Sequence, residues 1–153
     1  MSNLRIGVLG SANIARRSVI PAIKSIAEYD LVAIASRTKE KATEFATEFD
    51  CEAVEGYQNL LDRKDIDIIY MPLPTGLHEE WVLKALDAGK HILIEKSLAM
   101  DYASAKRMVD MARQKGLLIM ENFMFLYHKQ HQFVKDLIDK GEIGEIRCFR
   151  SSF

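Results

Sequence analysis

The sequence predicts an α/β protein built on a doubly wound parallel sheet, and two observations carry that prediction. Short runs rich in Ile, Val and Leu alternate with longer segments of helical spacing, which is the pattern of consecutive βαβ units. Several of these runs are apolar almost throughout, as strands are when helices cover both faces of their sheet. A chain of 153 residues is long enough to bury a core of its own.

The elements follow in order. A first strand is assigned to Leu4–Leu9, then a helix over Asn13–Ala27 that Pro21 should kink. A strand over Leu31–Ala35, a helix over Lys39–Phe49, a short strand near Glu52–Val54 and a strand over Ile66–Met71 come next. The helix Leu77–Ala88 ends in "DAGK", where Gly89 serves as C-cap, and leads to the strand His91–Ile94. The helix Tyr102–Gln114 ends on Gly116 in the same way, before a strand over Leu117–Met120 and a helix over Lys129–Lys140. Ile146–Phe153 reads as a last strand.

Composition excludes several roles. Lys and Arg number 21 against 22 Asp and Glu, a net charge of −1, and no block of one sign stands out, so nucleic acid is not an expected partner. No apolar run approaches the ~18 residues of a membrane span, and Leu4–Leu9 is too short for a signal peptide, so a cytoplasmic protein is expected. Cys51 and Cys148 are far apart with no CxxC and read as packing residues. His128 and His131 share a helix face, but no carboxylate or cysteine cluster joins them, so no metal is expected.

The first chemical signal is "IGVLGSANIA", Ile6 to Ala15. Unpaired N–H groups and the peptide dipoles at a helix start attract phosphate, and a backbone approaches pyrophosphate closely only where side chains are minimal. Gly10, Ala12 and Ala15 occupy the three positions of G-x-G-x-x-G, after the first strand, where a doubly wound sheet holds a dinucleotide. A tight turn with no ligand would look similar.

The second strand ends in "IASRTKEK". An acid there would bond the ribose 2′-hydroxyl of NAD. Ser36 stands in its place and Arg37 follows, with Lys39 and Lys41 nearby, which favours the extra phosphate of NADP and leaves NAD as the alternative cofactor. A solvated basic helix start is the plainer reading of the same residues.

With "ASRTKEKA", "IDIIYMPLPTGLHEEWVLKALDAGKHILIEKSLA" and "MENFMFLYHKQHQFVKDLIDKGEIGEIRCF" following that turn in order, the whole chain resembles the Gfo/Idh/MocA oxidoreductase family. The resemblance implies a Rossmann NAD(P)-binding domain over residues 1–122, with residues 123–153 as the linking helix and first strand of a C-terminal α/β substrate domain whose remainder is absent. The family's Glu-Lys-Pro appears as Glu95-Lys96-Ser97, with serine in place of proline. It implies Lys96 as the catalytic donor to the substrate oxygen, with Glu95 and Lys96 beside the cofactor.

"MPLPTGLH" then matches the loop around the nicotinamide and ribose, giving Pro72, Leu73, Pro74, Thr75 and His78, although the prolines also simply end a strand. Asn122 matches a position facing the nicotinamide; by itself it reads as a loop residue bonding its own backbone. Gly10, Ser11, Ala12, Asn13, Ile14, Ser36 and Arg37 complete the implied cofactor set.

The resemblance of "ENFMFLYHKQHQFVKDLI" to members that reduce ketosugars implies a sugar or nucleotide-sugar substrate, and a homo-oligomer through the C-terminal sheet of a longer protein. A dinucleotide-binding module or truncated remnant without turnover is the alternative, because the family's second-domain histidine has no counterpart here. On either reading the 153 residues are expected to bind a dinucleotide without catalysing hydride transfer by themselves.

Overall fold

The computed structural model describes residues 3–151 of the chain. Six strands, β1 (Leu4–Leu9), β2 (Tyr29–Ser36), β3 (Glu52–Glu55), β4 (Ile68–Met71), β5 (His91–Ile94) and β6 (Ile119–Glu121), form one sheet in the order β3-β2-β1-β4-β5-β6. Every pairing is parallel. Val8 of β1 sits between Ile34 and Tyr70. The strand order reverses between β1 and β4, so the crevice beyond their carboxyl ends is the switch point at which such sheets take ligands.

Alternation along β1 shows how the sheet is covered. Val8 faces a core with Ile20, Ile23, Ile34, Phe45 and Tyr70, supplied by α1 (Ile20–Lys24) and α2 (Lys39–Phe49). Its neighbour Leu9 faces the opposite core with Ile69, Met71, Val82, Leu86 and Met108, covered by α4 (His78–Asp87) and α5 (Tyr102–Lys115). Adjacent residues of a strand point to opposite faces, so one apolar run serves both layers.

Several features depart from the expected elements, among them the later start of β4 at Ile68 and the earlier end of the first helix at Lys24. The first helix is interrupted by a π-helical turn over Ala15–Val19, with the Ile20 N–H donating to the Ala15 carbonyl. Pro21 follows one residue later, without an N–H and crowding the carbonyl four residues back, and a wider turn ahead of it accommodates both. A five-residue helix, α3 (Tyr57–Leu61), fills the crossover to β4; it is too short to show a helical period. Leu117 and Leu118 lie outside β6, which runs Ile119–Glu121.

The expected final strand also fails: residues 146–151 form neither helix nor strand, and Ser152 and Phe153 lie outside the described residues. A strand needs a ladder partner.

The chain divides after Asn122 into two units. The second contains a 3₁₀ turn, Met124–Tyr127, and α6 (Lys129–Asp139), whose first turn is capped by His128 Nδ1 accepting from the Gln130 N–H at 3.2 Å. None of its described residues is buried. No helix among the described residues is long and apolar enough to cross a membrane.

Candidate functional site

The turn after β1 is shaped by its smallest residue. Gly10 has φ +126° and donates its N–H to the Ala35 carbonyl at 2.9 Å. A Cβ there would lie 3.0 Å from Leu73 Cδ2, so both the conformation and the space call for glycine. Ala15, at the third position of the pattern, is fully buried where helix meets strand. Ser36 at the end of β2 is 3% exposed, and its hydroxyl lies 3.3 Å from that of Ser11.

These pieces border a cavity of about 190 Å³. Gly10, Ser11 and Ala12 form one wall, Ser36, Arg37 and Lys41 a second, and Pro72, Leu73 and Pro74 a third. Asn13 and Ile14 begin the helix and are not among the lining residues, nor is Thr75, which opens a 3₁₀ turn over Thr75–Leu77. Lys39 is turned away, its ammonium on the Ala53 carbonyl at 3.0 Å. The sequence reading missed Tyr57, which also lines the cavity and sets its ring edge against Trp81 at 5.1 Å. Burial pushes its phenol up, and the Arg37 charge opposes that. Its aromatic pairing with Trp81, across 24 positions of sequence, leaves no local signal.

A second cluster lies beyond β4 and β5. Glu95 Oε1 accepts from the Tyr70 hydroxyl at 2.8 Å and from Asn122 Nδ2 at 2.7 Å. The main chain is tied as well: the Glu95 N–H donates to Met71 at 3.2 Å and the Asn122 N–H to Ile94 at 2.8 Å. Asn122 therefore bonds a side chain from another strand end, not merely its own loop. Burial, and then the carboxylate of Glu95, hold the Tyr70 phenol protonated far above its ordinary range.

Lys96 is exposed, and the Lys96–Ser97 peptide is cis. The residues that follow are pinned from two sides. The Leu98 N–H donates to Glu121 Oε1 at 2.7 Å, while His78 Nδ1 lies 2.9 and 3.2 Å from the Ser97 and Leu98 carbonyls. The other ring nitrogen, Nε2, is 2.8 Å from the Leu73 carbonyl. His78 is fully buried with both nitrogens facing backbone oxygens, which corrects the expectation of a direct cofactor contact. It is a cross-link between the Leu73 loop and the segment after Lys96.

Among the described residues no group of three or more His, Cys, Asp or Glu side chains is gathered to hold a metal. His131 sets its ring edge-on to Phe125 at 5.7 Å. Cys51 packs partly buried, its thiol pushed up to about 11 by burial. Cys148 is exposed, so the packing role expected for it does not hold.

The chain is similar to several known proteins. The chain is 52% identical over 150 residues to a dTDP-3,4-didehydro-2,6-dideoxy-alpha-D-glucose 3-reductase from Saccharopolyspora spinosa, covering 98% of this chain and 45% of that protein. It is 35% identical over 151 residues to D-xylose 1-dehydrogenase (NADP(+)) 2 from Haloferax volcanii, covering 98% of this chain and 46% of that one. A crystal structure of a 3-ketoreductase from Actinomadura kijaniata, in complex with TDP-benzene and NADP, superposes with a TM-score of 0.92 at 50% identity, over 95% of this chain and 46% of that chain. The chain thus spans just under half the length of the curated relatives it matches. The model of the oxidoreductase family with an NAD-binding Rossmann fold, Gfo/Idh/MocA, matches residues 4–123, and the chain belongs to that family.

Proposed function

We propose that this chain holds NADP(H) across the carboxyl ends of β1, β2 and β4, in an enzyme that transfers a hydride between the nicotinamide and a keto or hydroxyl group of a nucleotide-linked sugar. The observation that carries the cofactor choice is the end of β2. Ser36 and Arg37 stand where an acid would bond a free 2′-hydroxyl, and Arg37 and Lys41 both border the cavity. A guanidinium bonds a phosphate monoester with charge assistance and has nothing comparable to offer a neutral hydroxyl.

The residues fit such a group. The space beside Gly10 is one a Cβ would fill, as close backbone approach to a pyrophosphate requires. Ser11 and Ala12 carry that wall onward with small side chains. Pro72, Leu73 and Pro74 supply the apolar side facing it, and Thr75, Asn13 and Ile14 stand as neighbours one step out.

When bound, the dinucleotide would supply the hydride to a keto group or accept it from a hydroxyl. The chain's own part is position and charge. Glu95 and Asn122, joined by a 2.7 Å hydrogen bond, form a fixed polar pair for the nicotinamide end. Lys96, exposed on the next residue, presents an ammonium that donates a hydrogen bond or a proton to the substrate oxygen as that oxygen gains charge. The substrate class follows the relatives named above, which are reductases and dehydrogenases of sugars.

Fluorescence titration tests the cofactor choice. NADPH is expected to bind more tightly than NADH, and Arg37→Ala is expected to weaken NADPH selectively, by about 1–3 kcal/mol for a lost bond to a charged group. Equal affinities for the two nucleotides would overturn it.

A further inference from the structure

We propose that Tyr70 is a positioning residue that fixes the Glu95 carboxylate for the nicotinamide end of the dinucleotide, an inference that rests on the cofactor reading above. Tyr70 has no exposed surface. Its ring belongs to the core shared by Ile6, Val8, Ile23 and Ile34, a place where phenylalanine would pack as well. What distinguishes tyrosine there is the hydroxyl, and that hydroxyl donates to Glu95 at 2.8 Å. A buried phenol without a partner would be costly, so ring and carboxylate constrain each other.

The consequence lies in how the carboxylate is filled. Both donors, Tyr70 from β4 and Asn122 from beyond β6, meet Oε1. The backbone on either side is already tied to Met71 and Ile94, so the remaining freedom is the rotation of the Glu95 side chain, and two donors converging on one oxygen from different elements remove it. Among the described residues no side chain or backbone group donates to Oε2. That oxygen can accept from a hydroxyl or an amide N–H, the two donor types that the nicotinamide riboside end of a dinucleotide carries. Tyr70 touches neither cofactor nor substrate; it acts through Glu95.

Two probes separate positioning from general support. Adenosine 2′,5′-bisphosphate carries the adenosine and 2′-phosphate but no nicotinamide, whereas NADPH carries both. Tyr70→Phe is expected to weaken NADPH by about tenfold, the order of one lost hydrogen bond to a charged group, and to leave the bisphosphate affinity unchanged. In a Glu95→Ala background the same substitution is expected to add no further loss, because the residue through which it acts is gone.

Thermal melts establish that each variant is folded. Equal losses for both probes, or a Tyr70→Phe effect that persists without Glu95, would overturn the positioning role, as would an unchanged NADPH affinity while the cofactor reading stands. If the unsubstituted chain binds neither probe, the cofactor reading itself falls and this role falls with it.

Discussion

The two ends of the sheet handle charge in opposite ways. At the amino ends of the strands, cations are cancelled in place. Arg5 meets Asp67 with side-chain bonds of 3.0 and 2.8 Å and a backbone N–H bond of 2.9 Å. Arg63 is held between Asp65 and Glu52, and the buried Lys90 donates to the carbonyls of Arg63 and Ile66. At the carboxyl ends, Arg37, Lys41 and Lys96 are exposed, and among the described residues no carboxylate oxygen lies within 4.0 Å of their nitrogens. The cations are paired or buried at one end of the sheet and stand without a carboxylate partner at the other. Uncompensated charge beside a cavity lined by small residues is what an anionic ligand needs; paired charge stabilises only the fold.

Replacing Lys96 gives the largest expected effect. In the proposed role its ammonium meets charge that develops on the substrate oxygen, so Lys96→Ala in a form competent for turnover is expected to lower kcat by about 100- to 1000-fold. Dinucleotide affinity should change by less than about threefold, since the contact matters in the transition state and not in the ground state. Steady-state rates beside a fluorescence titration check both numbers. An unchanged kcat would reduce Lys96 to one more exposed cation and weaken the contrast between the ends.

A second substitution asks whether positive charge alone suffices. Gly10→Val keeps Arg37 and Lys41 but puts a branched side chain at φ +126°, with its Cβ 3.0 Å from Leu73 Cδ2. Dinucleotide binding is expected to fall by about 100-fold and stability by roughly 2 kcal/mol, read by titration and by denaturant melts. Retained binding would mean that shape contributes little at this end.

The contrast was only half legible in sequence. The strands and the longer helices announced themselves because parallel strands buried on both faces are apolar runs and the helices between them carry capping glycines. The turn at Gly10 and the missing acid at Ser36 were readable because they are local: a few adjacent residues decide them. Glu95, Lys96 and Asn122 could be named only through family resemblance.

What locks them was invisible, because Tyr70, Glu95 and Asn122 meet across 25 and 27 positions of sequence. Nothing in the run "IDIIYM" separates a phenol that donates to a carboxylate from one that merely packs. His78 misled for the same reason. The family resemblance of "MPLPTGLH" implied a cofactor neighbour, and only the placement of the Ser97 and Leu98 carbonyls reveals His78 as a fastener. The helix α3 and the failed strand at Ile146 mark the other limit, where a segment is too short or too unpartnered for periodicity to decide.

The smallest effect belongs to the end where the charges are paired, and it is the sharpest test of the separation. The Arg5 side chain and its backbone N–H hold the Asp67 carboxyl at about 2, below its ordinary 3.8. A carboxyl depressed on folding contributes stability that is fully present above about pH 4 and is lost as the pH falls toward 2. Both partners are partly open to water, with side chains 42% and 32% exposed, so screening limits the contribution to about 1 kcal/mol. Asp67→Asn should accordingly lower the melting temperature by about 3 °C at pH 7 and by much less near pH 2. The dinucleotide affinity of the variant at pH 7 should be that of the parent, since Asp67 precedes β4 and the cavity lies beyond the opposite ends of the strands. A loss of affinity at neutral pH, in a variant still folded, would show that the two ends are coupled through the sheet and that the division of labour between them is not real.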